Sequence, residues 1–314
     1  MVTLFEPATL ACTIRMSQNA TNTKADSVSK VSHTMKTAKH PTGITITFDP
    51  AAHRYTDSLG RGPYDSVTSI VSALFAPFDQ DGQIAAGVAH RTGKDPATVQ
   101  AEWSAKGDAA CTLGTRTHET AEATVLGQPP SHAPTSPRER AAFAAAYSAA
   151  TQIRSASATV HPEVILADPS SLTAGTCDIL AVRRRDSALI LGDYKTNEHI
   201  EPTSRYKTRA LPPYQHLDDC HLTRYSVQLH LYAWILRAHY LAPSDALQLV
   251  LIHLQPDNPE PQWLEVIDMS AEAADIMQKR RDRMAMMVDG VRGMKAAGRF
   301  KDHAGQAGGD SSHF

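Results

Sequence analysis

Apolar residues along the chain change their period several times, and each change marks an element. Ile44–Pro50 (ITITFDP) alternates as a strand does, Ala51–Gly62 carries a turn, and Ser66–Phe75 (SVTSIVSALF) starts a helix that Ser66 or Thr68 can cap. From Gly82 to Gly127 the pattern is helical, with breaks expected at Gly93–Pro96 (GKDP) and near Gly107. Ser136–Ser155 predicts another helix, with Pro137 in its first turn, where no backbone N–H is needed. Period two then returns in Glu163–Asp168, Thr173–Arg184 and Ser187–Lys195, whose short connections suit consecutive antiparallel strands. Thr223–Tyr240 is helical and apolar around most of its circumference, so it should be buried against the sheet. Leu247–Leu254 and Gln262–Met269 predict two more strands, and Ser270–Met294 a last helix.

This order of elements predicts an α/β fold, with a central mixed sheet flanked by helices. Residues 1–40, rich in Ser, Thr, Asn and Lys without sustained periodicity, are expected to be a disordered or extended arm. Residues 41–300 should form one domain, with a helical part over 65–157, a sheet and helix over 160–270 and a C-terminal helix over 271–298. Residues 301–314 read as a flexible tail. With 314 residues and 42% hydrophobic content, the chain can bury a sizeable core. Its formal charge of -2 excludes a global polycation, so any anion-binding surface must be local. The four cysteines are scattered without a CxxC pair, the N-terminus lacks the order of a secretory signal, and no apolar run approaches the ~20 residues of a membrane span. The expectation is a cytoplasmic protein with free thiols and no membrane partner.

The chemistry centres on Leu191–Asn197 (LGDYKTN), at the end of a branched apolar run. Alternation puts Asp193 and Lys195 on one face and Tyr194 on the other. By itself such a pair can be a surface ion pair worth about 0–1 kcal/mol. Asp178 lies in the preceding strand, and a short hairpin brings it to the same end of the sheet. Two carboxylates a few ångströms apart resist joint ionisation. A divalent cation such as Mg²⁺ resolves that conflict, and an adjacent lysine can offset charge on a phosphate.

Further strings fall in order around this pair. Gly114, His118 and Glu122 form G-x-x-x-H-x-x-x-E, Gly175 and Asp178 form G-x-x-D, Asp193–Thr196 form D-Y-K-T, and Gln228 and Tyr232 form Q-x-x-x-Y. Together, over roughly residues 45–270, they resemble the PD-(D/E)XK nuclease superfamily in its RecB-like and phage exonuclease branch. The resemblance implies a restriction-endonuclease-like core and a Mg²⁺- or Mn²⁺-dependent deoxyribonuclease. Lys195, Asp178 and Asp193 would be catalytic, and the metal would be held by Asp178 and Asp193 with Glu122, the Tyr194 carbonyl and His118. Gln228 and Tyr232 would support the site and contact the DNA backbone. Among acids, Glu122 is preferred over Glu119, which lies about 100° around the helix from His118, and Glu163 is a rival at the start of its strand.

Arg183, Arg184, Arg185, Arg205, Lys207, Arg209 and Arg224 crowd this region in sequence and read as a phosphate-binding rim, with Tyr206 and Tyr214 able to stack on bases. The family likeness implies an exonuclease acting on DNA ends with little sequence specificity and leaving 5′ phosphates. Its setting would be phage or bacterial recombination, repair or replication, beside a separate recombinase or helicase. Only Cys220 follows Lys195, which excludes the iron-sulfur cluster of some members, and without a GxxxxGK[ST] string the chain has no ATP motor. The competing expectations are a catalytically inactive DNA-binding scaffold of the same fold and an RNA nuclease.

Overall fold

The computed structural model describes residues 35–78 and 82–296. Most of the expected N-terminal arm, and the expected tail over 301–314, lie outside the described residues. The end of that arm is a strand: β1 (Lys36–Lys39) pairs antiparallel with β2 (Thr45–Asp49), which pairs with β3 (Arg54–Asp57) in a three-stranded sheet. The KTAK sequence of β1 is too short and polar to announce a strand. It becomes one because β2 offers an edge in register.

β4 (Asp65–Ser66) leads into α1 (Val67–Ala73), where the Ser66 hydroxyl accepts the Ser69 N–H at 3.0 Å as an N-cap. α2 (Gln83–Thr92) ends at Gly93 in a left-handed conformation, and α3 (Pro96–Leu126) starts behind an Asp95 cap. The break expected near Gly107 is absent, and α3 is continuous through it. One exposed glycine costs a helix only about 1 kcal/mol, too little to stop a helix of this length. α4 (Pro137–Ala156) is capped by Ser136 with Pro137 in its first turn, as expected.

The larger sheet contains β4, β5 (Ser157–Asp168), β6 (Thr173–Arg183), β7 (Leu189–Lys195), β8 (Leu247–His253) and β9 (Gln262–Leu264). Its order is β4-β6-β7-β8-β9, with β5 pairing β6. The β4–β6 and β7–β8 pairs are parallel and the rest antiparallel, so the fold is α/β with a mixed sheet. α5 (His221–His239) and α6 (Ser270–Ala296) cover one face through Leu180, Leu191, Leu229, Leu231, Leu251 and Met277. α3 and α4 cover the other, where Ala145, Ala146 and Ala149 of α4 let the helix approach Ile179, Tyr194 and Ile252 closely. Each fully buried Leu or Ile stabilises this sandwich by roughly 1.5–3 kcal/mol. Among the described residues, no helix is long and apolar enough to cross a membrane.

A split in the sheet positions the site. β5 pairs along nearly the whole of β6, so β4 and β7 share the other edge of β6, opposite Thr173–Ala174 and Ile179–Val182 respectively. Gly175–Asp178 face the gap between them. The alternation of faces also slips here, since Cys177 and Leu180 join the core beneath α5, whereas Ile179 and Ala181 join that beneath α3 and α4. β5 slips in step: Val160 packs toward α3 and α4, and Val164 toward α5.

Candidate metal centre

Three acids come together across the slipped strands. Pro162 faces Ile179 and Val164 faces Cys177, so Glu163 stands opposite Asp178; Ile179 faces Gly192, so the next rung sets Asp178 opposite Asp193. The rung is distorted rather than regular. Glu163 has a left-handed φ of 51°, a costly conformation for a residue with a side chain. Asp178 Oδ2 accepts the Tyr194 N–H at 2.7 Å, taking the place of a strand carbonyl at the split.

α3 brings His118 down onto this rung. Gly114, one turn earlier, makes the approach possible, because a Cβ there would lie 3.0 Å from Thr196 Oγ1. His118 Nδ1 is 3.5 Å from Asp178 Oδ1, and His118, Glu163 and Asp178 each present a ligand atom within 4.8 Å of the others. Glu122 lines the same small cavity with Tyr194 and Pro162 but stands outside this ligand group. By distance, the acid that joins His118 and Asp178 is thus Glu163, with Glu122 lining the same cavity. Glu122 shares a helix face with His118, but Glu163 is carried in by the strand itself. Glu119 turns away to His132, 2.9 Å distant.

Asp193 and Lys195 form a second group beside the first. Lys195 Nζ lies 2.5 Å from Asp193 Oδ2, an ion pair in which the ammonium is that buried oxygen's partner. Gln228 ties the pair together, accepting from Lys195 at 3.2 Å and donating to Asp193 Oδ1 at 3.0 Å. Asp193 is thus held by Lys195 and Gln228 instead of joining the His118 ligand group. One turn along α5, Tyr232 donates to the Thr176 carbonyl at 2.9 Å and closes the gap beside Gly175. Sequence reading missed Tyr225, whose ring lies 4.6 Å from Lys195 Nζ. Its signal was its place three residues before Gln228, on the same helix face.

The electrostatics are those of a site short of positive charge. Burial, reinforced by the Asp178 and Glu122 carboxylates, pushes Glu163 up to about 7. Burial, with Asp178 adding to it, also raises Asp193 despite Lys195. For Asp178 burial acts upward but is outweighed by His118, Lys195 and the Tyr194 N–H, so its carboxyl lies below the usual range. Burial would lower the His118 imidazole, but Asp178 outweighs it and holds it at about 8. Lys195 follows the same logic: its two carboxylate neighbours overcome burial and keep its proton on. An imidazole nitrogen and two carboxylate oxygens within reach of one another form a group that could hold a metal ion. Through its backbone, Tyr194 meets these acids by its N–H, which donates to Asp178.

The basic rim needs more revision. Arg183 sits five residues along β6 from Asp178, about 16 Å away at a strand's rise, and is bound to Asp186 at 2.8 Å. Arg184 and Arg185 share that remote hairpin. Sequence proximity misled here because a strand carries neighbours apart. Arg224 is held by Asp219 at 2.7 Å and stacks 4.1 Å over Phe75, so it braces the loop. Tyr214 is buried and donates to Asp275, which removes it from base stacking. Arg205, paired with Glu201 at 2.6 Å, and the 86% exposed Tyr206 remain on the surface with Lys207 in the loop after β7. Lys106 of α3 and Arg138 of α4, unnoticed in sequence, both reach Glu198, three residues beyond Lys195. Neither a protein-family model nor a curated protein matches the chain, so the functional reading rests on its own residues.

Proposed function

We propose that the protein is a Mg²⁺- or Mn²⁺-dependent deoxyribonuclease with a restriction-endonuclease-like core, acting as an exonuclease on DNA ends. The observation that supports this most is the convergence of His118, Glu163 and Asp178 beside the Lys195–Asp193–Gln228 group where β4 and β7 part along the edge of β6. His118, Glu163 and Asp178 would hold the cation, with Asp193 adjoining. When bound, the cation polarises the scissile phosphate and acidifies a water. Lys195 offsets the negative charge that develops on the phosphate oxygens during in-line attack. Gln228 fixes the position of that ammonium, and Tyr232 fixes α5 against β6. Lys106, Arg138, Arg205 and Lys207 would hold the backbone near the mouth, contacts that position DNA without reading sequence. The setting is phage or bacterial recombination, repair or replication, beside a separate recombinase or helicase.

The test is digestion of an end-labelled linear duplex, a single strand and a closed circle in Mg²⁺, Mn²⁺ and EDTA, by the full chain and by Lys195→Ala. Metal-dependent loss of linear DNA that the substitution abolishes supports the proposal. Binding without cleavage of any substrate refutes it in favour of a scaffold, and equal cleavage of RNA refutes the DNA assignment.

A further inference from the structure

Gln262–Met269 has the pattern of a full strand, yet β9 stops at Leu264. It pairs with β8 only over Leu251–His253, leaving the outer edge of Leu247–Val250 uncovered by it. The chain beyond Leu264 is drawn off by α5: the Ile267 N–H donates to Ser226 Oγ at 3.1 Å and the Met269 N–H to His230 Nε2 at 3.4 Å. Leu264 and Val266 pack into the core on that side. Between this departing segment and the end of α4 runs a groove of about 1050 Å³, with Ile190, Val250 and Ile252 among its apolar lining and Trp263 44% exposed beside them. Arg183, Arg184 and Arg185 close one end. The Arg185 side chain is 75% exposed, and Asp268, on the opposite flank, is 82% exposed.

We propose that the open edge of β8 is a docking site for an extended segment of a separate protein, one that adds as a strand with alternate apolar residues and places carboxylates against Arg183–Arg185. An uncovered strand edge supplies main-chain hydrogen bonds, and pockets on alternate sides supply selectivity. The chain's own ends have the wrong charge for the arginine end: residues 1–34 carry Arg15, Lys24 and Lys30 against Glu6 and Asp26, and residues 297–314 balance Arg299 and Lys301 against Asp302 and Asp310. Arg183–Arg185 lie at the far end of β6 from Asp178, whereas the inner part of the groove reaches Ile179 and Gly192, next to Asp178 and Asp193.

The probe is a fluorescein-labelled heptapeptide of alternating valine and threonine ending in two aspartates, added to the full-length protein. A saturable rise in anisotropy is expected, together with slowed amide exchange at Gln248–Val250. Arg185→Glu, Trp263→Ala and a peptide ending in two lysines should each weaken binding by about fivefold or more, the loss of roughly one exposed ion pair or contact. Trp263→Ala should leave metal-dependent DNA cleavage intact, which separates this proposal from the nuclease reading. No saturable binding up to about 1 mM, the weak end of the affinity scale, overturns it. So does binding indifferent to all three changes, or protection of the Gln248–Val250 amides in the protein alone. Self-association blocked by Trp263→Ala would assign the edge to a second copy, and duplex DNA binding lost in Arg185→Glu would assign it to nucleic acid; either result refutes the proposal.

Discussion

Replacing Gly175 by alanine tests whether the gap in the sheet is what holds α5 in its working place. The new Cβ would lie 2.7 Å from Tyr232 Oη, 2.8 Å from Cε1 and 3.1 Å from Cζ. The ring is buried and cannot swing into solvent, so it must shift and release the Thr176 carbonyl. Overpacking of this kind costs about 1–3 kcal/mol. A part-buried carbonyl left without its donor adds up to about 1–3 kcal/mol. Gly175→Ala should therefore destabilise by roughly 2–6 kcal/mol, a large part of a typical folding free energy of about 5–15 kcal/mol. Urea unfolding of Gly175→Ala, Tyr232→Leu and the double variant measures the coupling. Leucine removes the ring atoms that clash, so Gly175→Ala should cost less than about 1 kcal/mol in that background, against its full cost in the parent. Additive effects would show that the strand and helix move apart cheaply, and the reasoning would fail.

Lys195→Ala should lower metal-dependent cleavage by about 10²–10³, the usual effect of removing one preorganised charge from a reacting centre, while circular dichroism shows the fold retained. Saturating Mn²⁺ should raise the melting temperature, since a ligand at a hundred times its Kd stabilises by about 2.7 kcal/mol; Glu163→Gln should lose more of that increment than Glu122→Gln, and the reverse order would restore Glu122 as the third acid. At the other end of β5, Asp168 is buried and accepts from Arg281 and His239 at 2.9 Å. Burial would raise Asp168, but these donors outweigh it and hold the carboxyl far below the ordinary range. Its stabilisation is therefore present above the unfolded value of about 3.9 and is lost as pH falls toward the depressed folded value, so Asp168→Asn should destabilise at neutral pH and flatten the acid limb of stability. An unchanged acid limb in urea melts between pH 2 and 5 would refute that assignment.

The elements were legible from residue pattern because period and capping are local. Ser66 and Ser136 cap the helices they precede, the strands carrying Asp178 and Asp193 form consecutive antiparallel neighbours, and α5 is buried as its apolar circumference requires. Gln228 and Tyr232 could be placed on one face of a helix by their spacing alone. Misreadings arose wherever pairing between distant segments decides. β1 exists because β2 lies beside it, α3 crosses Gly107 on the strength of a long helix, and β9 ends early because Ser226 and His230 compete for its amides. Glu163 comes within ligand distance of His118 and Asp178 because β5 sets it opposite Asp178, a pairing no single strand's pattern records. Arg183 is close to Asp178 in sequence and far in space because an extended strand separates residues by about 3.3 Å each. Sequence alone determined which residues are acidic or apolar and, where the period runs unbroken, on which face of its element each lies. The tertiary structure decided which of them meet, since a strand's edge, a broken alternation of faces and a glycine gap have meaning only against the segment packed beside them.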